Sequence, residues 1–200
     1  MKTLVVLLLV SLMATSAFAV IDPDTDMLGV YFDTTADNNC TTAAESIPFF
    51  AYVTITNPSA AEVHGIEFGY SLISSVGPGK MFRLLNTLPS GAVDLGTNTD
   101  LMLGDYVVGL AAPLPATEAV QFVTWQFLLL EPQMVEIYLG PSTIQSIDDG
   151  LPAYEIGGSI QSLGLSTGQP SAGVPVATVN GDCAVAVEDA SFGSVKSLFR

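Results

Sequence analysis

Between Glu118 and Leu139 the chain reads EAVQFVTWQFLLLEPQMVEIYL, two extended apolar runs joined at Glu131-Pro132-Gln133. In the first run, Val120 to Leu130, Val123, Trp125, Phe127 and Leu129 fall on one face and Phe122, Leu128 and Leu130 on the other. Such a run fits either a buried helix or a strand covered on both sides, and periodicity alone does not separate them. Its aromatic and β-branched content, and the alternation that follows, decide for a strand. In the second run Val135, Ile137 and Leu139 face one way while Glu136 and Tyr138 face the other. This pair is expected at the centre of an all-β domain.

The same alternation recurs on either side. Leu28 to Asp33 reads as a first strand, followed by a polar loop from Thr34 to Glu45. In Ile47 to Thr56, Phe49, Ala51, Val53 and Ile55 make a core face, and Phe50, Tyr52, Thr54 and Thr56 a half-polar one. Asn57-Pro58-Ser59 ends that strand, because proline has no N–H to give a ladder. In Ile66 to Ile73, Ile66, Phe68, Tyr70 and Leu72 oppose Glu67, Gly69 and Ser71. A strand over Lys80–Asn86 precedes a surface loop, Leu88 to Met102, with room for one short strand. Asp105 to Ala111 returns as a strand, Tyr106, Val108 and Leu110 inward, broken by Pro113 and Pro115. Thr143 to Ile147 fits a short strand, Asp148-Asp149-Gly150 a turn, and Tyr154 to Leu165 alternates again. About nine strands with frequent turn signals predict an all-β, two-sheet antiparallel β-sandwich over residues 20–165.

The two ends read differently. Lys2, the apolar stretch Thr3–Met13 and Ala17-Phe18-Ala19 form a cleavable signal peptide, residues 1–19. The protein is therefore expected to be secreted or displayed at the cell surface. Residues 166–175, STGQPSAGVP, form a linker. Residues 176–200 form a tail ending in a short helix. Phe192, Val195, Leu198 and Phe199 lie on one side of it, with Lys196 and Arg200 complementing the dipole at its C-terminus. Phe192, Lys196, Phe199 and Arg200 are thus candidates for a sorting tail.

Charge narrows the partners. With 20 acidic and 5 basic residues, net charge −15, the chain is a poor ligand for nucleic acid or anionic membrane. Cys40 and Cys183 in an exported chain favour a disulfide, with two free thiols or an intermolecular bond as alternatives. Asp22, Asp24 and Asp26 have the spacing of the first ligands of a calcium loop. Met27 at the glycine position and Pro23 between ligands break that motif, leaving calcium in another geometry as the alternative to a solvated acidic segment. His64 is the only histidine and reads as a turn or strand-edge residue. No nucleophile elbow, zinc set or phosphate loop is present, so no catalytic residue is assigned. Phe50, Tyr52 and Tyr138 fall on the polar sides of their strands and form the candidate ligand face, with Glu67 and Glu136 as polar partners for a sugar.

Three stretches carry a resemblance. TITNPS and VHGIEFGYSL early, with VTWQFLLLEPQMVEIYLGP late, resemble cohesin-like (or Ig-like) β-sandwich modules. The opening LGVYFD with its Cys-containing loop, and the ending VNGDC…SFGSVKSLFR, resemble uncharacterised secreted bacterial proteins sharing such a tail. Cohesins carry an Asp-Pro-like turn after the strand matching Ile66–Ile73. This chain has Ser74-Ser75-Val76-Gly77, so dockerin recognition does not carry over. The resemblance implies a non-catalytic module for adhesion, scaffolding or envelope structure, its partner a protein or a polysaccharide at the cell surface. A carbohydrate-binding module is the alternative.

Overall fold

The computed structural model describes residues 22–166 and 173–183. Two sheets face each other. The smaller is built from β1 (Met27–Tyr31), β3 (Phe49–Thr56), β5 (Met81–Thr87), β8 (Ala119–Leu129) and β12 (Gly164–Leu165), in the order β12-β1-β3-β8-β5. The larger contains β2 (Cys40–Thr41), β4 (Glu62–Ser74), β6 (Ala92–Asp94), β7 (Leu103–Pro115), β9 (Val135–Gly140), β10 (Ala153–Glu155), β11 (Ile160–Ser162) and β13 (Ala177–Val179). Its spine is β4. On one side β4 pairs with β7, which carries β6; on the other it pairs first with β10 and then with β9. The strands are antiparallel except for β1–β12 and β2–β13. The expected sandwich is the fold found.

The joined runs of the Glu118–Leu139 stretch part company. β8 lies inside the smaller sheet between β3 and β5, whereas β9 belongs to the larger sheet. The Glu131-Pro132-Gln133 turn therefore carries the chain across the sandwich rather than closing a hairpin. Both strands still line the core, which is why both read as apolar. Phe122, expected on the face opposite Val123, is buried beside it. The β3–β8 register slips between Val53 and Thr54, whose partners are Val123 and Gln121, so Phe122 occupies a bulge that turns it inward.

The core holds an aromatic relay. Phe68 stacks on Tyr106 at 4.9 Å, Tyr106 and Tyr70 flank Trp125, and Trp125 leads through Phe127 to Phe49 and Phe32. Trp125 is fully buried, as expected, and its Nε1 donates to the Tyr106 hydroxyl at 2.8 Å. That hydroxyl in turn donates to Asn86 at 2.8 Å, so the buried polar tips are satisfied in series. Burial pushes the Tyr106 hydroxyl up to about 12 despite the Trp125 hydrogen bond. Arg83 closes one end of the sandwich, donating to the Tyr70 hydroxyl at 3.0 Å and to the Asn98 carbonyl.

Several boundaries differ from expectation. β7 runs through Pro113 to Pro115, because β6 pairs only as far as Leu110 and the missing proline N–H interrupts no ladder on that side. Residues 143–147 form no strand; they belong to a strap across the larger sheet. Tyr154–Leu165 divides into three short strands at Gly157-Gly158 and Leu163, both glycines having positive φ. Residues 177–179, expected in a separate tail, are β13 and pair with β9 and β2. Their side chains are buried, so the sandwich extends past the proposed linker. The expected signal peptide, most of the expected linker, and the expected helix carrying Phe192, Lys196, Phe199 and Arg200 lie outside the described residues.

Candidate functional site

The outward residues of β4 are small or acidic, Gly65, Glu67, Gly69 and Ser71, and those of β7 alternate apolar and small or acidic, Leu103, Asp105, Val107 and Gly109. A strap formed by residues 141–152 crosses this face. It is held by two buried carboxylates. Asp105, 3% exposed, accepts from Thr97 N at 2.7 Å, Ser142 Oγ at 3.1 Å, Thr143 N at 3.1 Å and Thr143 Oγ1. Glu67, 7% exposed, accepts from both the amide and the hydroxyl of Ser146 at 2.7 Å. Burial alone would raise the Asp105 carboxyl, but these hydrogen bonds outweigh it and hold the group below its ordinary value. Glu67, expected as a polar partner for a sugar, instead clasps the strap.

The strap divides the face into two grooves. The larger, about 490 Å³, has a bare backbone floor where Gly69 and Gly140 pair. Leu103, Tyr138, Ser71 and Thr143 line it. A Cβ on Gly69 would strike the Pro141 carbonyl oxygen, so glycine is what lets the strap pass this close. The smaller groove, about 240 Å³, runs over Gly65 and Gly109 between Leu95, Val107 and Ile160. Apolar side chains stand open to solvent here: Leu95 in the smaller groove is 73% exposed and Leu103 in the larger 65%, while Val93, paired with Gly109, is 62% and Ile144 of the strap 61% exposed. Tyr138 donates to Glu136 at 3.0 Å, and burial followed by this carboxylate raises its hydroxyl above the ordinary value.

The three residues of the candidate ligand face are not brought together. Tyr138 stands on the outer face of the larger sheet. Phe50 and Tyr52 stand on the outer face of the smaller one, their rings stacked at 6.3 Å. Alternation showed correctly that each points away from the core, but not from which sheet, since that depends on pairing partners far apart in sequence. The strap and the glycine floor left no sequence signal beyond the small residues of Gly69 and Ser71.

The remaining candidates resolve as follows. Cys40 and Cys183 form the intramolecular disulfide, with Cα atoms 5.0 Å apart, linking the chain after β13 to β2. Asp26 turns its carboxylate inward, accepting from Ser59 N at 2.7 Å, Gln161 Nε2 at 2.5 Å and Tyr154 OH. Asp22 instead accepts from Asp24 N at 3.0 Å. Asp22 is thus engaged in a local turn and Asp26 with groups distant in sequence, and among the described residues no group of three His, Cys, Asp or Glu side chains is placed to hold a metal ion. His64 sits in a bulge of β4, where the β4–β7 register slips between Val63 and Gly65, with Nε2 3.8 Å from Glu62. Asp149 accepts from Leu151 N at 3.0 Å and from Ser162 Oγ, which fits the turn reading of Asp148-Asp149-Gly150.

No protein-family model matches the chain, and no curated protein matches it. Among solved structures it is similar to the second type II cohesin module of the adaptor scaffoldin ScaA from Acetivibrio cellulolyticus. The TM-score is 0.50 at 10% identity, covering 84% of this chain and 97% of that one. A cohesin of a type I cohesin–dockerin complex from Clostridium thermocellum gives a TM-score of 0.49 at 7% identity, covering 71% and 94%. A type II cohesin domain from the Acetivibrio cellulolyticus cellulosome gives 0.48 at 14%, covering 82% and 100%. The likeness is one of fold: the chain is a cohesin-like β-sandwich.

Proposed function

We propose that the chain is an exported, non-catalytic module that binds another protein through the outer face of its larger sheet, in adhesion, scaffolding or envelope structure. The observation that carries this reading is the pair of grooves around the strap. Leu95 and Leu103 line them, Val93 stands on β6 and Ile144 in the strap, and each is more than half exposed. A concentration of exposed apolar surface around preformed recesses is what protein docking sites present. The acids on the face fit a structural role, since Asp105 accepts from Ser142 and Thr143 of the strap and from Thr97, and Glu67 from Ser146 of the strap. A disulfide spanning the domain agrees with export. The tail carrying Phe192, Lys196, Phe199 and Arg200 serves as a sorting or docking element, so deleting residues 192–200 is expected to mislocalise the module without unfolding it.

The test immobilises the mature chain and measures its binding to envelope and secreted proteins from its source cells. Leu103→Asp and Leu95→Asp are expected to abolish capture at unchanged melting temperature. Capture of the same proteins by these variants would remove the reading. A carbohydrate-binding module is the second reading, favoured by the Tyr138 ring beside Ser71 and Thr143 in the larger groove. It requires retention on a polysaccharide that Tyr138→Ala eliminates.

A further inference from the structure

The smaller sheet ends on an open edge. β5 pairs with β8 on one side, and among the described residues no strand lies on its other side. Natural sheets blunt such edges with charge, proline or bulges. Here the bulge acts the other way. The register slips between Arg83 and Leu85, which leaves both Leu84 and Leu85 turned out, 45% and 48% exposed. Phe82 beside them is 47% exposed, and Leu85 shares a register row with Gln126 and Phe50, the last 42% exposed. The rows of this face hold Phe82 and Leu128, then Leu85, Gln126 and Phe50, then Thr87, Thr124 and Tyr52. None is charged, although the chain has net charge −15.

Charge also says where two such chains can meet. Lys80 and Arg83 are the only Lys or Arg among the described residues, and both sit at β5. Lys80 neutralises Glu131 at 3.3 Å, and Arg83 is drawn in to Tyr70. Elsewhere the described residues carry acidic side chains and no Lys or Arg, so the edge where both basic residues sit is where two copies meet least net repulsion. A two-fold contact brings each patch onto itself and therefore needs a patch that is neutral and apolar.

We propose that the module forms a homodimer through β5, two copies of the strand pairing antiparallel so that Phe82, Leu84 and Leu85 of each cover the other. These three side chains, of roughly 150–200 Å² each and a little under half exposed, offer about 230 Å² of apolar surface per copy. With the strand backbones and polar flank the total is on the order of 1,000 Å², the lower end for a specific interface. The dimer is therefore a reversible one. This inference uses the sheet opposite the grooves and stands independently of the protein-binding reading.

Sedimentation equilibrium of the mature chain over a concentration series, at low and high salt, tests it. The expected result is a monomer–dimer equilibrium that tightens with salt, as screening removes the repulsion between acidic bodies. Leu85→Asp is expected to raise the dissociation constant at least ~100-fold with the melting temperature unchanged. Lys80→Glu changes no apolar area; it is expected to weaken the dimer at low salt and to recover at high salt. A monomer at every concentration, open-ended association beyond the dimer, or a dimer indifferent to both substitutions would overturn the proposal. Loss of the dimer with groove-dependent capture intact would remove this inference and leave the protein-binding reading standing.

Discussion

Replacing Asp105 by asparagine tests whether the strap is held by a carboxylate or by shape. The side chain keeps its size, and one oxygen can still accept from Thr97 N. The other position becomes an NH₂ group facing Thr143 N, Thr143 Oγ1 and Ser142 Oγ. The hydroxyls can rotate and accept, but the Thr143 amide cannot, so one buried N–H meets a donor. Losing a hydrogen bond to a charged group and stranding a buried donor costs about 2–3 kcal/mol. For a domain of this size that lowers the melting temperature by roughly 5–10 °C. The pH dependence makes the reasoning sharper. The folded carboxyl lies below its unfolded value of about 3.9, so the unfolded state takes up the proton first as pH falls. The contribution of Asp105 is therefore complete above the unfolded value and is lost as pH drops through the folded one. Urea unfolding followed by Trp125 fluorescence, for wild type and Asp105→Asn from pH 7 down to the acid limit, should show two stability curves converging at low pH. Equal stabilities at pH 7, or a gap that persists unchanged in acid, would refute the clasp.

Three further outcomes follow from the same geometry. Gly69→Ala should destabilise by about 1–3 kcal/mol, because its Cβ meets the Pro141 carbonyl and the strap must lift; amide exchange at residues 141–147 should accelerate in step, and protection unchanged there would contradict the close approach. Tyr106→Phe should cost about 1–3 kcal/mol by leaving the Trp125 Nε1 donor without its acceptor, measured by denaturant titration; a neutral effect would mean that the indole finds another partner. Cys40→Ser, or reduction, opens a cross-link between residues 143 apart, with an upper bound of roughly 5 kcal/mol from chain entropy; a melting temperature insensitive to reductant would show that the bridge leaves the unfolded chain unconstrained.

The class of fold was legible because strand alternation is a local property. Ala51, Val53 and Ile55, or Ile66, Phe68 and Tyr70, declare a buried face within a few residues, whichever strand comes to lie beside them. Trp125 could be placed in the core on the same ground, and the pair of cysteines pointed to a bridge. Composition set the net negative charge of the chain. Local pattern was blind to two things. A bulge changes which way a residue points without changing the sequence around it, as Phe122 and Leu84 show. And the sheet to which a strand belongs is decided by long-range pairing. Neighbouring in sequence, β8 and β9 lie in opposite sheets, while β13, assigned to a tail, completes the larger one.

The candidate site divides along the same line. That Phe50, Tyr52 and Tyr138 face outward follows from alternation alone, whereas their separation onto opposite faces of the sandwich follows only from the pairing of β3 with β8 and of β9 with β4. In the sequence Asp105 is one acid among twenty, and Glu67 reads as a polar partner for a sugar. Only the fold brings Thr97, Ser142, Thr143 and Ser146 to them, and so converts two charges that water would have solvated into the buried clasp that shapes the grooves. Local residue order determines which side of a strand is apolar, because neighbouring side chains must alternate. Which surfaces then meet, and which stay open for a partner, is decided by contacts between residues that the chain itself holds far apart.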